Sequence, residues 1–375
     1  MRVLVSGGGT GGHFYPALAM CEGLRKKYPN ARFAYVGTRT GVEARVLPTY
    51  DWIDFHPILA SGLYRNQPLK NGVGMLRLLV GLLQTMVLFI RFRPQLVIGV
   101  GGYASFAPTL LGALLGRLLP IRTAIHEQNV IGGRANRCLS RFVDLVMLSF
   151  PQSRRSFPHA RNAVVTGNPI REEFLHVKRS PALYRQFGLN PQRRTILVFG
   201  GSKGSAEITD QVLFGKDDIA RNDNLQILLI TGNADVEASI QQQLAAAGIT
   251  NIVVKGYVHQ MGAAFAIADL VVCRAGATSL AEITSCGKAS LLVPWKEAAD
   301  DHQRKNAEIM EDERACAVAD EAVIVQHGLV GAILGQMGDE LGLERLAGNA
   351  KRMGQQKAEE RILGEIRMLM REVAP

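Results

Sequence analysis

The sequence predicts an α/β protein of two Rossmann-like domains, each a doubly wound parallel sheet, which face each other across a cleft. The 375 residues are more than one domain usually contains. Residues 2–12 and 195–205 begin alike, since each joins a short apolar strand to a glycine turn, and Gly7 matches Gly200. Short β-branched runs then alternate with helical patterns in both halves, which is typical of parallel sheets covered by helices.

The elements follow in the same order in both halves. After the first glycine turn, the pattern predicts a helix and then strands, at residues 16–27, 32–36, 96–100 and 122–125. After the second turn it predicts a helix and four strands, at 206–213, 225–231, 252–254, 270–273 and 289–293. A Gly-Asn-Pro turn near residue 167 marks the linker, so we expect an N-terminal domain over 1–165 and a C-terminal domain over 166–356. An amphipathic helical pattern over 357–372 is suited to packing back onto the first domain.

The charge is unevenly distributed between the halves. Residues 1–165 carry 20 Lys/Arg and 6 Asp/Glu, a net charge of +14, whereas residues 166–375 carry 23 and 27, a net charge of −4. Segregated positive charge predicts an anionic partner for the first domain, either nucleic acid, lipid headgroups or a phosphorylated substrate. Nucleic acid is disfavoured because no recognition-helix or RNA-binding pattern accompanies the charge.

One apolar segment raises the question of a membrane. Residues 72–90 are nearly all apolar, and Lys70, Arg77, Arg91 and Arg93 lie within or beside them. The length suffices for a membrane span, but a span here would cut the first predicted sheet in two. Two interpretations stay open: a helix lying in the interface of an anionic membrane, and a helix buried in the core.

The first glycine turn matches a dinucleotide fingerprint, Gly7-x-Gly9-x-x-Gly12. Its NAD-binding form requires an acidic residue at the end of the next strand, for the ribose. No carboxylate follows that strand until Glu43, which disfavours a redox role. The turn remains suited to an anionic or bulky group at a helix N-terminus.

Three more turns follow predicted strands, at residues 99–105, 200–205 and 274–282. Each is expected at the carboxyl edge of its sheet, where open α/β folds bind ligands. The 200–205 turn suits a phosphate but lacks the Gly-Lys-Ser/Thr ending of a Walker A loop, which excludes that type of ATP site. Glu282 can accept hydrogen bonds from vicinal ribose hydroxyls, or it complements a helix N-terminus. Gln303 and Asn306 share one helix face that is suited to sugar hydroxyls, or is simply solvated.

These turns occur within an ordered set of motifs. The set comprises Gly8-Gly9-Thr10-Gly11-Gly12-His13, Gly101-Gly102-Tyr103, His126-Glu127-Gln128-Asn129, Gly167-Asn168-Pro169-x-Arg171, Gly200-Gly201-Ser202-x-Gly204 and Arg274-x-Gly276-Ala277 with Glu282. With the segment from Gln303 to Asn306, it resembles the MurG family of peptidoglycan N-acetylglucosaminyltransferases over residues 2–307.

The resemblance implies a GT-B fold and a specific reaction. GlcNAc would pass from UDP-GlcNAc to the C4 hydroxyl of MurNAc in undecaprenyl-pyrophosphoryl-MurNAc-pentapeptide (lipid I), with inversion, to give lipid II. It implies a peripheral enzyme on the cytoplasmic face of the bacterial plasma membrane, with other cell-wall synthesis proteins as conceivable partners. No Asp-x-Asp stands at a strand end in a suitable loop, so neither a metal nor another cofactor is expected.

The resemblance also assigns residues. In the C-terminal domain, Val258 would hold uracil, Glu282 the ribose, Ser202 and Arg171 the phosphates, and Gln303 and Asn306 the GlcNAc hydroxyls. From the N-terminal domain, the donor would be approached by Thr10, Gly11, Gly12 and Asn129. The acceptor and its phosphates would meet the loop of Gly101, Gly102 and Tyr103.

Displacement at the sugar requires a base near the acceptor hydroxyl. His13 is the first candidate, because its ordinary pKa of about 6.5 suits proton uptake at neutral pH. Glu127 is the second. Each has a structural alternative: His13 as a capping or acceptor-orienting residue, and Glu127 as an anchor for its loop. Two other functions also remain open, namely a diacylglycerol glycosyltransferase of the same fold and a non-enzymatic membrane- or nucleic-acid-binding module.

Overall fold

The structure is a computed structural model that describes residues 1–60, 68–202, 204–355 and 357–371. The chain forms two compact units. Unit 1 contains Met1–Ile170 and Lys357–Pro375, and unit 2 contains Arg171–Gln356. Each unit is built on one parallel sheet with helices, which confirms the predicted fold class.

Unit 1 has a seven-stranded parallel sheet. Its strands are β1 (Arg2–Ser6), β2 (Arg32–Gly37), β3 (Ile53–Pro57), β4 (Leu96–Gly99), β5 (Arg122–Glu127), β6 (Leu145–Leu148) and β7 (Ala163–Val165). They are arranged in the order β3-β2-β1-β4-β5-β6-β7. Its first helices are α1 (Gly11–Lys27), α2 (Val42–Val46), α3 (Pro68–Phe92), α4 (Tyr103–Leu115) and α5 (Arg134–Leu139). The inner strands are buried on both faces, which explains their continuous apolar sequence.

Unit 2 has a six-stranded parallel sheet. Its strands are β8 (Arg194–Phe199), β9 (Leu225–Ile230), β10 (Ile252–Lys255), β11 (Leu270–Cys273), β12 (Ala289–Leu292) and β13 (Ala317–Val318). Their order is β10-β9-β8-β11-β12-β13. Its helices are α6 (Glu173–His176), α7 (Pro181–Phe187), α8 (Ala206–Phe214), α9 (Lys216–Ala220), α10 (Ala234–Ala246), α11 (Met261–Ile267), α12 (Ala277–Cys286), α13 (His302–Asp312), α14 (Glu321–Gly338) and α15 (Glu340–Met353).

Both sheets reverse their strand order at the same point. The reversal lies between β1 and β4 in unit 1, and between β8 and β11 in unit 2. The four glycine turns of the sequence directly follow these four strands. Their predicted place at the carboxyl edge is therefore confirmed, and they lie where doubly wound sheets bind ligands.

Helix α3 is the crossover between β3 and β4, which belong to the same sheet. Leu88, Phe89 and Phe92 on one face of α3 pack into the core beneath it. The opposite face is apolar but exposed, with 63%, 53%, 68% and 66% of Leu76, Leu79, Leu83 and Ile90 accessible. Residues 74–92 are long and apolar enough to cross a membrane by length and composition alone. Because α3 connects two strands of the same sheet, one face of the helix packs in the core. The opposite face is an exposed apolar surface.

The C-terminal helix α16 (Ala358–Arg371) belongs to unit 1. Ile362 and Ile366 are fully buried in one apolar cluster with Met20 and Leu24 of α1. Glu372, the last residue of the predicted helix, lies outside the described residues. Unit 1 is thus completed by chain from both ends of the sequence.

Candidate functional site

The first glycine turn of unit 1 is anchored by a buried carboxylate. Glu43, at the start of α2, is fully buried and accepts hydrogen bonds from the Gly9 N–H at 3.0 Å and the Thr38 N–H at 2.7 Å. A side chain at Gly8 would overlap the same carboxylate. Glu43 therefore holds the backbone of the first glycine turn. From the sequence, Glu43 was noted only because it lies too late to be the NAD-type ribose ligand.

His13 lies in the first turn of α1 and is half-buried. Its Nδ1 is 2.9 Å from Oε1 of Gln128, a buried residue that follows β5. Nε2 of Gln128 lies 3.0 Å from Nδ1 of His126, whose Nε2 lies 2.9 Å from the Gly167 carbonyl. Burial lowers the pKa of His126 to about 4, so this imidazole is neutral near pH 7. The three side chains form one continuous hydrogen-bonded row.

Glu127 is buried, and both of its carboxylate oxygens are occupied. Oε1 accepts from the Asn129 backbone at 3.0 Å and its side-chain amide at 3.3 Å. Oε2 accepts from the Gly133 N–H at 2.9 Å and the Asn136 amide at 3.0 Å. Four donors therefore occupy both oxygens and tie the carboxylate to the loop. The geometry therefore favours the structural alternative, in which Glu127 anchors the loop after β5.

The turn after β4 packs closely against the first one. Gly101 and Gly102 have φ of 93° and 76°, a region that favours glycine. A Cβ at Gly102 would lie 2.7 Å from the Gly8 carbonyl oxygen, and one at Gly101 would lie 3.0 Å from the His13 ring. The two turns can approach each other only because these positions lack side chains.

Several predicted residues of unit 1 lie at the rim of these two turns. Thr10 is exposed and precedes α1, which begins with the buried Gly11 and the exposed Gly12. Tyr103 begins α4 and is 61% exposed. The N-termini of α1 and α4 thus lie at the same edge, where their dipoles favour an anion.

In unit 2, the turn after β8 leads into α8. Ser205 caps this helix by accepting a hydrogen bond from the Ile208 N–H. Gly204 has a φ of 74°, and a side chain there would overlap the Thr231 carbonyl oxygen. Ser202 lies half-buried within the turn. The result is a tight backbone loop at a helix N-terminus, a geometry suited to phosphate.

Arg274 holds that loop in place. This buried residue follows β11 and donates to Ser205 Oγ at 3.0 Å and to a carboxylate oxygen of Glu207 at 2.6 Å. It also donates to the Val293 carbonyl at 3.2 Å, beyond β12. Arg274 therefore joins loops after three strands. Arg274 belongs to the Arg274-x-Gly276-Ala277 motif of the sequence, but the motif alone assigns it no role.

Glu282 lies buried in α12, facing Arg171. The Arg171 guanidinium is 3.4 Å from Glu282 Oε1 and 2.7 Å from a carboxylate oxygen of Glu173. Burial raises the pKa of Glu282 to about 7, and Arg171 opposes the rise. Arg171 therefore contacts two carboxylates, and its contact with Glu282 orients that carboxylate.

The remaining predicted residues of unit 2 differ in exposure. Asn306 in α13 is fully buried and donates to the Ala275 carbonyl at 3.1 Å. Gln303 is half-buried, and its Oε1 accepts from the Trp295 N–H at 3.0 Å. Val258 is half-buried in the segment after β10. Asn306 thus supports the turn after β11, whereas Gln303 and Val258 are partly accessible.

Comparisons with known proteins agree with this architecture. Residues 3–148 match the glycosyltransferase family 28 N-terminal domain, and residues 195–362 match the family's C-terminal domain. Proteins named UDP-N-acetylglucosamine--N-acetylmuramyl-(pentapeptide) pyrophosphoryl-undecaprenol N-acetylglucosamine transferase are similar along nearly the whole chain. The one from Desulforudis audaxviator is 35% identical and covers 98% of both chains. The one from Geotalea daltonii is 38% identical over 98% of this chain and 97% of its own.

A solved structure is similar as well. The crystal structure of Acinetobacter baumannii MurG superposes with a TM-score of 0.72 at 26% identity, and the match covers 98% of this chain and 99% of that one. The resemblance inferred from the ordered motifs is thereby confirmed. The chain is a glycosyltransferase with the GT-B fold, and it belongs to the MurG family.

Proposed function

We propose that this chain transfers GlcNAc from UDP-GlcNAc to the C4 hydroxyl of MurNAc in lipid I, giving lipid II with inversion at the anomeric carbon. The observation that carries the proposal is the similarity, over 98% of the chain, to transferases whose name states this donor and acceptor. The geometry supports different roles for the two units, because unit 1 presents an imidazole, whereas unit 2 presents a buried carboxylate and a phosphate-type loop.

In unit 2, the carboxyl edge suits the donor nucleotide. Glu282 would accept hydrogen bonds from the two ribose hydroxyls, and Arg171 would keep its carboxylate oriented through their contact at 3.4 Å. The turn of Ser202, the N-terminus of α8 and Arg171 would take the phosphates. Val258 would hold uracil, and Gln303 would reach the GlcNAc hydroxyls. Buried Asn306 would act on the sugar through the turn that it supports.

In unit 1, His13 would act as the base. As the acceptor oxygen bonds to the anomeric carbon, its proton would pass to the imidazole, and the bond from that carbon to the UDP oxygen would break. UDP would leave with the electron pair, stabilised by the N–H groups of the loop and of α8. This scheme requires no metal. The four donors around Glu127 support His13 as the base in preference to that carboxylate.

The exposed face of α3 would bring unit 1 to the membrane. Leu76, Leu79, Leu83 and Ile90 form one apolar stripe, and Arg77 and Arg91 are exposed on the same helix. An apolar face with flanking cations binds anionic lipid surfaces peripherally. The cytoplasmic leaflet would be the site of action, because it carries anionic lipid and the acceptor is itself lipid-linked.

Flotation with vesicles tests this surface. Leu79→Gln/Leu83→Gln and Arg77→Gln/Arg91→Gln should each reduce binding to vesicles that contain anionic phosphatidylglycerol. Leu341→Gln is the matched control, because Leu341 is 72% exposed in unit 2. Equal binding by all of these proteins would remove α3 from the proposed membrane contact.

The reaction is tested by a donor–acceptor assay. The purified protein, UDP-GlcNAc and a short-chain lipid I analogue should yield a product one GlcNAc heavier, with release of UDP. Diacylglycerol replaces lipid I in a parallel reaction, and EDTA is added to a third. Transfer to lipid I alone, undiminished by EDTA, is expected. Transfer to diacylglycerol, or none to lipid I, would contradict the proposed function.

A further inference from the structure

The side-chain amide of Gln128 is locked in one orientation. Its Nε2 lies 3.0 Å from the Val100 carbonyl oxygen and 3.1 Å from the His126 carbonyl oxygen. Carbonyl oxygens only accept hydrogen bonds, so the amide nitrogen must face them. The amide oxygen of Gln128 therefore faces His13.

The fixed orientation of the Gln128 amide determines which nitrogen of neutral His13 carries the proton. The Gln128 oxygen is an acceptor only, and it lies 2.9 Å from His13 Nδ1. Nδ1 must therefore carry a hydrogen to form this bond. A neutral imidazole has one N–H, so the lone pair of His13 is on Nε2.

We propose that Gln128 is a positioning residue that holds neutral His13 in the tautomer with the proton on Nδ1, so that Nε2 is the atom that takes up the proton of the acceptor hydroxyl. The second part rests on the proposed function. The Oε1 contact persists when His13 is protonated, because Nδ1 donates in both states. The imidazole can thus gain a proton without turning its ring.

His126 also contacts the Gln128 amide and helps to hold it in this orientation. Its Nδ1 lies 3.0 Å from the Gln128 amide nitrogen, whose two hydrogens are shared among this atom and the Val100 and His126 carbonyl oxygens. The hydrogen of His126 is then on Nε2, which donates to the Gly167 carbonyl at 2.9 Å. The tautomers of both imidazoles are therefore consistent with one orientation of the Gln128 amide. The row extends from the turn after β7 to the first turn of α1.

Four titratable side chains lie at the turns and strand ends that this row joins: His126, Glu127, Glu43 and Tyr103. His126 lies beyond Gln128 and stays neutral, since burial lowers its pKa to about 4. Glu127 points into the loop after β5, where four donors hold it, and Glu43 is bound to the turn before α1. Tyr103 stands exposed at the start of α4. The tautomer of His13 is thus set by the neutral amide that contacts it.

The direct test is nitrogen NMR on the full chain labelled with ¹⁵N-histidine. The chain has 8 histidines, and a His13→Gln variant identifies the His13 signals. For the neutral imidazole of His13, we expect a protonated-type shift for Nδ1 and an unprotonated-type shift for Nε2. The opposite pattern in the unmutated protein would overturn the proposal, and this result does not depend on whether any variant folds.

Gln128→Met supplies the functional test, because it keeps the volume and removes the amide. We expect His13 to lose the Nδ1–H pattern, and kcat to fall about tenfold to a hundredfold, less than the 10²- to 10⁴-fold typical for loss of an acid–base group itself. The KM for UDP-GlcNAc should stay unchanged. Unchanged kcat and tautomer in a folded Gln128→Met protein would overturn the proposal.

Gln226→Met is the matched control. Gln226 is an equally buried amide of unit 2 that donates to the Asn190 carbonyl at 2.8 Å and to Thr195 Oγ at 2.9 Å. Its loss should lower thermal stability but leave the His13 tautomer unchanged. The spectrum reports the tautomer even without GlcNAc transfer, so failure of the proposed function and failure of the tautomer assignment are distinguishable.

Discussion

The two sheets share a topology, yet their carboxyl edges differ in chemistry. In unit 1, neutral groups form the row from His126 through Gln128 to His13. In unit 2, the corresponding edge is held by ion pairs, with Arg274 on Glu207 and Arg171 on Glu282. The strand order places a site at each edge, and the side chains decide what each site can do.

The roles proposed for the two edges account for this difference. The proposed base needs an uncharged nitrogen with an available lone pair, and the row of neutral groups leaves that lone pair on His13 Nε2. A nucleotide site needs acceptors for hydroxyls and donors for phosphates, which a carboxylate and a helix N-terminus supply. The following predictions test this contrast.

The largest effect is expected at His13. His13→Ala should reduce turnover by about 10²- to 10⁴-fold, because the base is lost. The affinity for UDP should change by less than a factor of about 2, or about 0.4 kcal/mol, because the nucleotide is proposed to bind to unit 2. Steady-state kinetics and calorimetry measure the two quantities. Near-normal turnover would remove His13 from the reaction.

Alanine substitutions at two glycines of the turn after β8 distinguish the cost of backbone strain from the cost of steric overlap. Gly201 and Gly204 both have positive φ, at 91° and 74°, but only Gly204 faces the Thr231 carbonyl. Gly201→Ala should lower the free energy of unfolding by about 1–2 kcal/mol, through backbone strain alone. Gly204→Ala should cost more than this and should abolish UDP binding. Equal costs in denaturant titrations would show that the turn is not as tight as described.

Acid should weaken unit 1 through His126. Its pKa is about 4 in the folded chain and about 6.5 when unfolded. The unfolded state therefore binds more protons between these values, and stability falls as pH drops from 6.5 to 4, by about 3 kcal/mol in all. Denaturant titrations across this range should show a smaller loss for His126→Gln. Parallel losses in both proteins would assign the acid sensitivity elsewhere.

The last prediction concerns Glu282. Its pKa of about 7 in the free protein should fall when ribose hydroxyls donate to the carboxylate. UDP binding should then tighten about tenfold from pH 6 to pH 8 and release a proton. Calorimetry of UDP binding to the Glu282→Gln variant measures the part of the pH dependence that comes from the phosphates of UDP. An identical pH dependence in both proteins would mean that Glu282 does not ionise on binding.

The sequence predicted the positions of the four glycine turns, because each directly follows a strand that its own residues identify. It did not reveal what holds them. Gly9 and Glu43 are 34 residues apart, Arg274 and Ser205 are 69 apart, and His13 and Gln128 are 115 apart. Such contacts depend on how strands order themselves in a sheet, which local periodicity does not encode. Gln128 was visible only as one letter of a motif.

The central claim is that unit 2 holds the nucleotide while unit 1 supplies the base. Hydrogen–deuterium exchange of the full chain with and without UDP tests it most directly. We predict the greatest protection at residues 200–205 and 274–282, around the turns after β8 and β11. Protection confined to residues 7–13 and 100–105 of unit 1, or none at all, would contradict the account.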